Sequence, residues 1–197
     1  ILTFDLAFFV LAIPAVVFAG ISKGGFGSGA AFIATPILAL VLPPELAVGI
    51  LLPLLMLIDL FVMKAYWGKW NILEAKRLIL GGLPGVALAA ALWSNANPDI
   101  LRFFIGLIAV GFVVFQISRA QDWIAPPGKA AGAKAGFIAG ATAGFTSFIS
   151  HAGGPPATIY LLSRGLSKTE YQATTVVVFL AINIAKAVPY TFLGIFT

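Results

Sequence analysis

The sequence predicts an all-α, polytopic membrane helix bundle with an internal inverted repeat and broken or re-entrant helices. Three observations predict it. Hydrophobic residues make up 60% of the 197 and charged residues only 10%, with a mean hydropathy of +1.04. Soluble domains carry roughly a quarter charged residues. Seven acids and twelve bases cannot clothe a water-facing shell around this much apolar chain. Long apolar runs recur from one end of the chain to the other, and their order repeats at a fixed offset.

The runs fall at about 4–20, 26–42, 46–66, 77–93, 100–118, 133–149, 154–166 and 170–193. Several hold about fifteen to seventeen apolar residues, roughly 22–26 Å of helix against a hydrocarbon core of ~30 Å. The shortest, 26–42 and 154–166, each follow a Gly-rich stretch. Such segments read as broken or re-entrant, a geometry tolerated where protein or water satisfies the freed backbone groups. Residues 6–19 lack a basic leading region and a clear cleavage site, so they read as a retained helix. Lys64, Lys69, Lys76 and Arg77 against Glu74 mark the loop 64–77 as cytoplasmic, as Arg119, Lys129 and Lys134 against Asp122 mark 119–134. The loop 94–102, with Asp99 and Arg102, then lies outside, and counting every segment as a crossing puts the N-terminus outside too. A re-entrant segment would reverse that last assignment.

At an offset of 124, Gly20 falls on Gly144, Ser22 on Thr146, Gly29 on Gly153, Asp59 on Asn183 and Tyr66 on Tyr190. The order of features recurs as well: an Ala/Gly-rich helix, a Gly/Ser-rich break, a short helix, a turn and a longer helix. The first copy takes residues 1–124 and the second 125–197. Five apolar segments per copy, an odd number, invert the second copy relative to the first, the plan of many secondary transporters. By the same offset the second copy lacks its last two segments, about 45–50 residues.

Chemistry concentrates at the two breaks. Around the first, AGISKGGFGSGA from Ala19 to Ala30, glycines free the backbone from helical geometry. A helix start beyond it would present N–H groups to an anion. Lys23 adds a full charge, Ser22 and Ser28 add hydroxyls, and Gly24, Gly25 and Gly27 allow close approach. The second break, AGFTSFISHAGGPP from Ala143 to Pro156, supplies Thr146, Ser147, Ser150, His151 and Gly153, and Pro155 and Pro156 suit a first helical turn. Two such breaks meeting near the midplane would cradle a tetrahedral oxyanion. Asp59 and Asn183 interrupt long apolar runs, where polar groups are costly, and Lys186 lies one turn from Asn183 on the same face. With Tyr66 and Tyr190, Asp59 and Asn183 are candidates for coupling or gating.

Plainer roles are available for several of these residues. Gly132, Gly136, Gly140 and Gly144, spaced every four, read as helix packing. Lys23 could snorkel to an interface, and His151 could serve only to bond a backbone carbonyl. Arg164 and Lys168 read as ordinary end charges. The net charge of +5 sits in short loops between apolar runs, so it argues against a nucleic-acid partner. Cysteine is absent, which removes disulfides and thiolate metal sites. The GFGSG run follows no strand, and no P-loop, paired-His ligand set or nucleophile elbow is present, so the chain reads as a non-enzyme without cofactor or metal.

The stretch SKGGFGSGAAFIATP from Ser22 to Pro36, the LPPELA run from Leu42 to Ala47 with Asp59 after it, and the run from Gly136 to Pro156 ending in HAGGPP resemble the TauE/SafE family of sulfite and sulfonate exporters, also called 4-toluenesulfonate uptake permeases. The resemblance implies a multi-pass transporter in the bacterial inner membrane, moving a small sulfur oxyanion or organosulfonate. The substrate partner is then a small sulfur-containing anion, the surrounding partner is lipid, protons are candidate co-substrates and a homodimer is a candidate assembly. Export is the expected direction. The alternatives are an anion channel and a proton-coupled sulfonate importer.

Overall fold

The computed structural model describes residues 6–25, 33–121, 123 and 132–196. Their regular structure is helical: α1 (Leu6–Gly25), α2 (Ala34–Ala39), α3 (Pro44–Tyr66), α4 (Ile72–Trp93), α5 (Pro98–Ala120), α6 (Ala133–Ser150), α7 (Gly154–Leu162) and α8 (Lys168–Phe192). Four of these, α3, α4, α5 and α8, are long and apolar enough to cross a membrane. α2 and α7, at six and nine residues, reach only about 9 and 14 Å at ~1.5 Å per residue, so neither can span. Large apolar side chains such as Leu40, Phe61, Phe103 and Phe192 are exposed around the bundle, as lipid contact requires.

Helix starts follow local chemistry. Pro44 occupies the first turn of α3, and Pro155 and Pro156 the first turn of α7, where a missing N–H costs nothing. Asn71 caps α4 by accepting from the Glu74 N–H at 3.2 Å. Ser167 and Glu170 form a reciprocal capping box on α8.

Packing sets the relative directions of the helices. α4 and α6 make the closest seam, through Gly81, Gly82 and Gly85 on one helix and Gly136, Gly140 and Gly144 on the other. Gly81 lies against the Phe137 carbonyl and Gly85 against that of Ala141, so both numbers rise together and the two helices run parallel. A Cβ at either position would collide with backbone, which is why the seam is glycine. Gly132 faces open space and caps α6 instead of packing. α8 runs parallel to α4, since the Asn71 N–H donates to Thr174 Oγ1 at 3.0 Å and Gly82 packs on Ile182. α3 runs the other way: Gly49 packs on Ile195, whereas Asp59 meets Asn183. α7 folds back along α6, with Gly153 against Ala143 and Tyr160 against Gly136.

These directions gather the end of α3, the starts of α4, α6 and α8, and the end of α7 at one face. It carries Lys64, Lys69, Lys76, Arg77, Lys134, Arg164 and Lys168, and the charge rule predicts it to be the cytoplasmic one. The trio α1–α2–α3 recurs as α6–α7–α8: long, short, long, with α8 starting at Lys168, 124 positions after Pro44. α3 and α8, the last helices of the two trios, run antiparallel.

Candidate functional site

The breaks are narrower than the sequence reading expected. α1 stays helical through Gly25, so Ser22, Lys23, Gly24 and Gly25 form its last turn, and the Ser22 side chain lies outside the described residues. Gly27 and Ser28 lie outside them as well. α6 stays helical through Ser150, so Thr146, Ser147 and Ser150 are helical too, and the second break is confined to 151–153. Apolar surroundings explain this: a peptide group that leaves the helix inside a membrane must find another partner, so helices there run as far as they can.

His151 ends α6 in the left-handed conformation at φ 55°, which non-glycine residues seldom adopt. Its N–H still bonds the Ser147 carbonyl at 3.0 Å, and the next N–H, of Ala152, reaches back to Thr146 at 3.3 Å. The Thr146 hydroxyl lies 2.8 Å from the Thr142 carbonyl and 3.0 Å from that of Ala152, with one proton to share between them, and the Ser150 hydroxyl donates to the Thr146 carbonyl at 3.3 Å. These two hydroxyls therefore finish the helix end. Gly153 is packed between Ala143, Ser147 and Phe179, a contact that leaves no room for a side chain.

Six polar side chains converge at the break. Lys23 Nζ donates to Asp59 Oδ1 at 2.6 Å, both groups buried. Asp59 Oδ2 accepts from Asn183 Nδ2 at 2.8 Å. One turn along α8, the fully buried Lys186 Nζ donates to the carbonyl and the hydroxyl of Ser147, each at 3.0 Å, and lies 2.8 Å from His151 Nδ1. His151 Nε2 is 3.0 Å from the Val48 carbonyl, which can only accept, so that nitrogen carries a proton and Nδ1 is left to face Lys186. The plain role for His151, a bond to backbone, is present alongside the bond to lysine. Lys23 is no snorkelling cation.

Charge gives this cluster its character. Asp59 compensates Lys23, but the partners of Lys186 are all neutral, and their number matches the three protons of an ammonium. Among the described residues no carboxylate touches Lys186. The gap lined by Lys23, Asp59, Thr175, Val176 and Phe179 is too tight to admit a water-sized sphere. Gln172 seals it on the cytoplasmic side, donating to the Lys23 carbonyl at 2.5 Å. No cluster of His, Cys, Asp and Glu that could hold a metal occurs among the described residues.

The two tyrosines differ. Tyr190 is fully buried, donates to the Phe148 carbonyl at 2.6 Å and meets the Phe148 ring edge-on at 4.9 Å. Phe148 also meets Trp93 at 5.9 Å, and Tyr190 meets Phe196 at 5.7 Å, so aromatic rings close the outer side. Tyr66 is half-buried and lines a cleft at the cytoplasmic face.

Arg164 corrects the sequence reading, which took it for an ordinary end charge. Its Nε donates to Glu74 Oε1 at 2.9 Å, and Glu74, 3% exposed, also bonds Arg77 at 2.9 Å and the Tyr160 hydroxyl. This cluster pins the end of α7 to the start of α4. Sequence alone offers little signal for it, because Glu74 stands in a run of charges and its partners Tyr160 and Arg164 come from 86 and 90 residues away.

No curated protein and no solved structure matches the chain. Residues 12–197 match the profile of the family described as sulfite exporter TauE/SafE. With its residues 12–197 matched by that profile and its helices long and apolar enough to cross a membrane, the chain belongs to the TauE/SafE family of sulfite exporter-type membrane transporters.

Proposed function

We propose that this protein is a secondary transporter that carries a small sulfur oxyanion or organosulfonate outward across the bacterial inner membrane. Two inverted copies, residues 1–124 and 125–197, would work against each other around the buried cluster. The observation that carries this reading is Lys186, whose amine is buried completely among neutral acceptors. Burying a charge without a counter-charge is expensive, and in a membrane it usually marks a path for a substrate or an ion. A sulfonate or sulfite would supply the missing negative charge. The tight packing at Lys23 and Asp59 favours a carrier over a channel, which would be open to both sides at once.

The inside-negative potential alone drives an anion outward, by ~2.3 kcal/mol per charge per 100 mV, so export needs no coupled ion. Flux of sulfite, taurine, sulfoacetate and an aromatic sulfonate from proteoliposomes at clamped potential tests the reading, with sulfate for comparison. Flux should saturate and follow the potential. Flux that follows a pH gradient at zero potential and is lost in Asp59→Asn would replace export by proton-coupled movement.

A further inference from the structure

The cytoplasmic cleft lined by Tyr66 has a volume of about 350 Å³. The last turn of α7 and the turn after it give it an apolar wall, Leu161, Leu162 and Leu166. The first turn of α8 brings Lys168, and the floor is Gln172, the residue that also holds the Lys23 carbonyl. Gln172 therefore links the cleft to the backbone of the buried cluster. The equivalent place in the other half is filled, because Tyr190, the repeat-mate of Tyr66, is buried against Phe148. The cleft is thus open on the side from which an exporter takes its substrate.

Its lining sets three leucines against one cation, Lys168, with the polar groups of Thr169, Tyr171 and Gln172 beside them. A bare oxyanion has no use for an apolar wall, and a purely apolar solute has none for Lys168. We infer that this cleft is a loading site for an amphiphilic sulfonate, with the charged head on Lys168 and the hydrocarbon part against Leu161, Leu162 and Leu166. The inference rests on the transport reading and narrows it to organic sulfonates in preference to sulfite. Passing from cleft to cluster requires the Gln172–Lys23 contact to open.

The test uses the full chain in proteoliposomes at fixed potential and compares sulfite with methane-, ethane-, propane- and butanesulfonate presented to the cytoplasmic face. In the wild type KM should fall about two- to fourfold per added methylene, the range set by partial to full burial of each group. Leu162→Gln, at an exposed position, should flatten that series and leave the KM of sulfite unchanged. Lys168→Ala should raise the KM of every anion about three- to fivefold with Vmax retained, as suits an exposed charge. A wild-type KM independent of chain length, or a series that Leu162→Gln does not alter, overturns the loading site while transport stands. If none of these anions moves, the transport reading falls, and this inference falls with it.

Discussion

Asp59 and Asn183 share a hydrogen bond of 2.8 Å and stand 124 positions apart, the offset at which the two halves of the chain align. In the proposed inverted repeat, a residue that touches its own repeat-mate would place the local two-fold axis between the two. The buried cluster would then be built on that axis, where a motion of one half against the other is felt first. The two mates differ, since Asp59 carries a charge that answers Lys23 and Asn183 carries none. The lysine of the second half, Lys186, enters at a position with no counterpart in the first, where the equivalent residue is Val62.

Breaking the Lys23–Asp59 pair separates its structural role from its functional one. Lys23→Met or Asp59→Leu alone leaves an uncompensated buried charge and should cost about 3–5 kcal/mol of stability, whereas the double substitution should recover most of that loss. Transport should stay lost in all three. Thermal unfolding in detergent and sulfonate flux are the measurements, and a double variant that is both stable and active would remove the pair from the mechanism.

Anion binding should depend on the buried lysines far more than on the loop bases. Charge-assisted bonds are worth about 1.5–3 kcal/mol, so Lys23→Ala and Lys186→Met should each weaken sulfonate binding roughly ten- to a hundredfold. Arg119→Ala, in the last turn of α5, should leave it nearly unchanged. Calorimetric titration decides, and equal small effects from all three would place the anion elsewhere.

The glycine seam offers opposite signs within one experiment. Gly85→Ala drives a methyl into the Ala141 backbone and should cost about 1–3 kcal/mol. Gly106→Ala meets nothing within 4 Å inside α5 and should stabilise by about 0.5–1 kcal/mol. Unfolding midpoints that shift alike would mean that α4 and α6 are not in close contact.

What could be read from the sequence was what depends on one stretch of chain at a time. The apolar runs, the short seventh helix behind Pro155, and the intramembrane Asp59, Asn183 and Lys186 all announce themselves locally, because water-loving groups stand out in a greasy run. The repeat is proposed from five matched positions, and α3 and α8 start 124 positions apart, at the same offset. The extent of the breaks was not legible. Glycine and serine permit a helix to stop, but whether it stops depends on what else the peptide groups can bond. Glu74, Tyr160 and Arg164 were equally hidden: each looks ordinary alone, and only the fold-back of α7 along α6 brings them together.

The asymmetry between Tyr66 and Tyr190 leads to the last prediction. If the halves exchange conformations during transport, Tyr66 should take up the bond that Tyr190 now makes to Phe148, and its partner would be the Gly24 carbonyl, 124 positions before Phe148. The outer aromatic cluster would then open. Tyr190→Phe removes one buried hydrogen bond from the closed outer side, worth about 1 kcal/mol, so it should raise the outward-open population roughly fivefold. The chain contains no cysteine, so single cysteines report without a background. A cysteine at Tyr66 should react with a membrane-impermeant thiol reagent from the cytoplasmic face and be protected when the outer side opens. One at Ile195, packed beneath Gly49, should behave in the opposite way and react faster from outside when combined with Tyr190→Phe. Equal labelling of both positions from their own sides, unchanged by Tyr190→Phe or by substrate, would mean that the tyrosines are packing residues and that the two halves do not trade places.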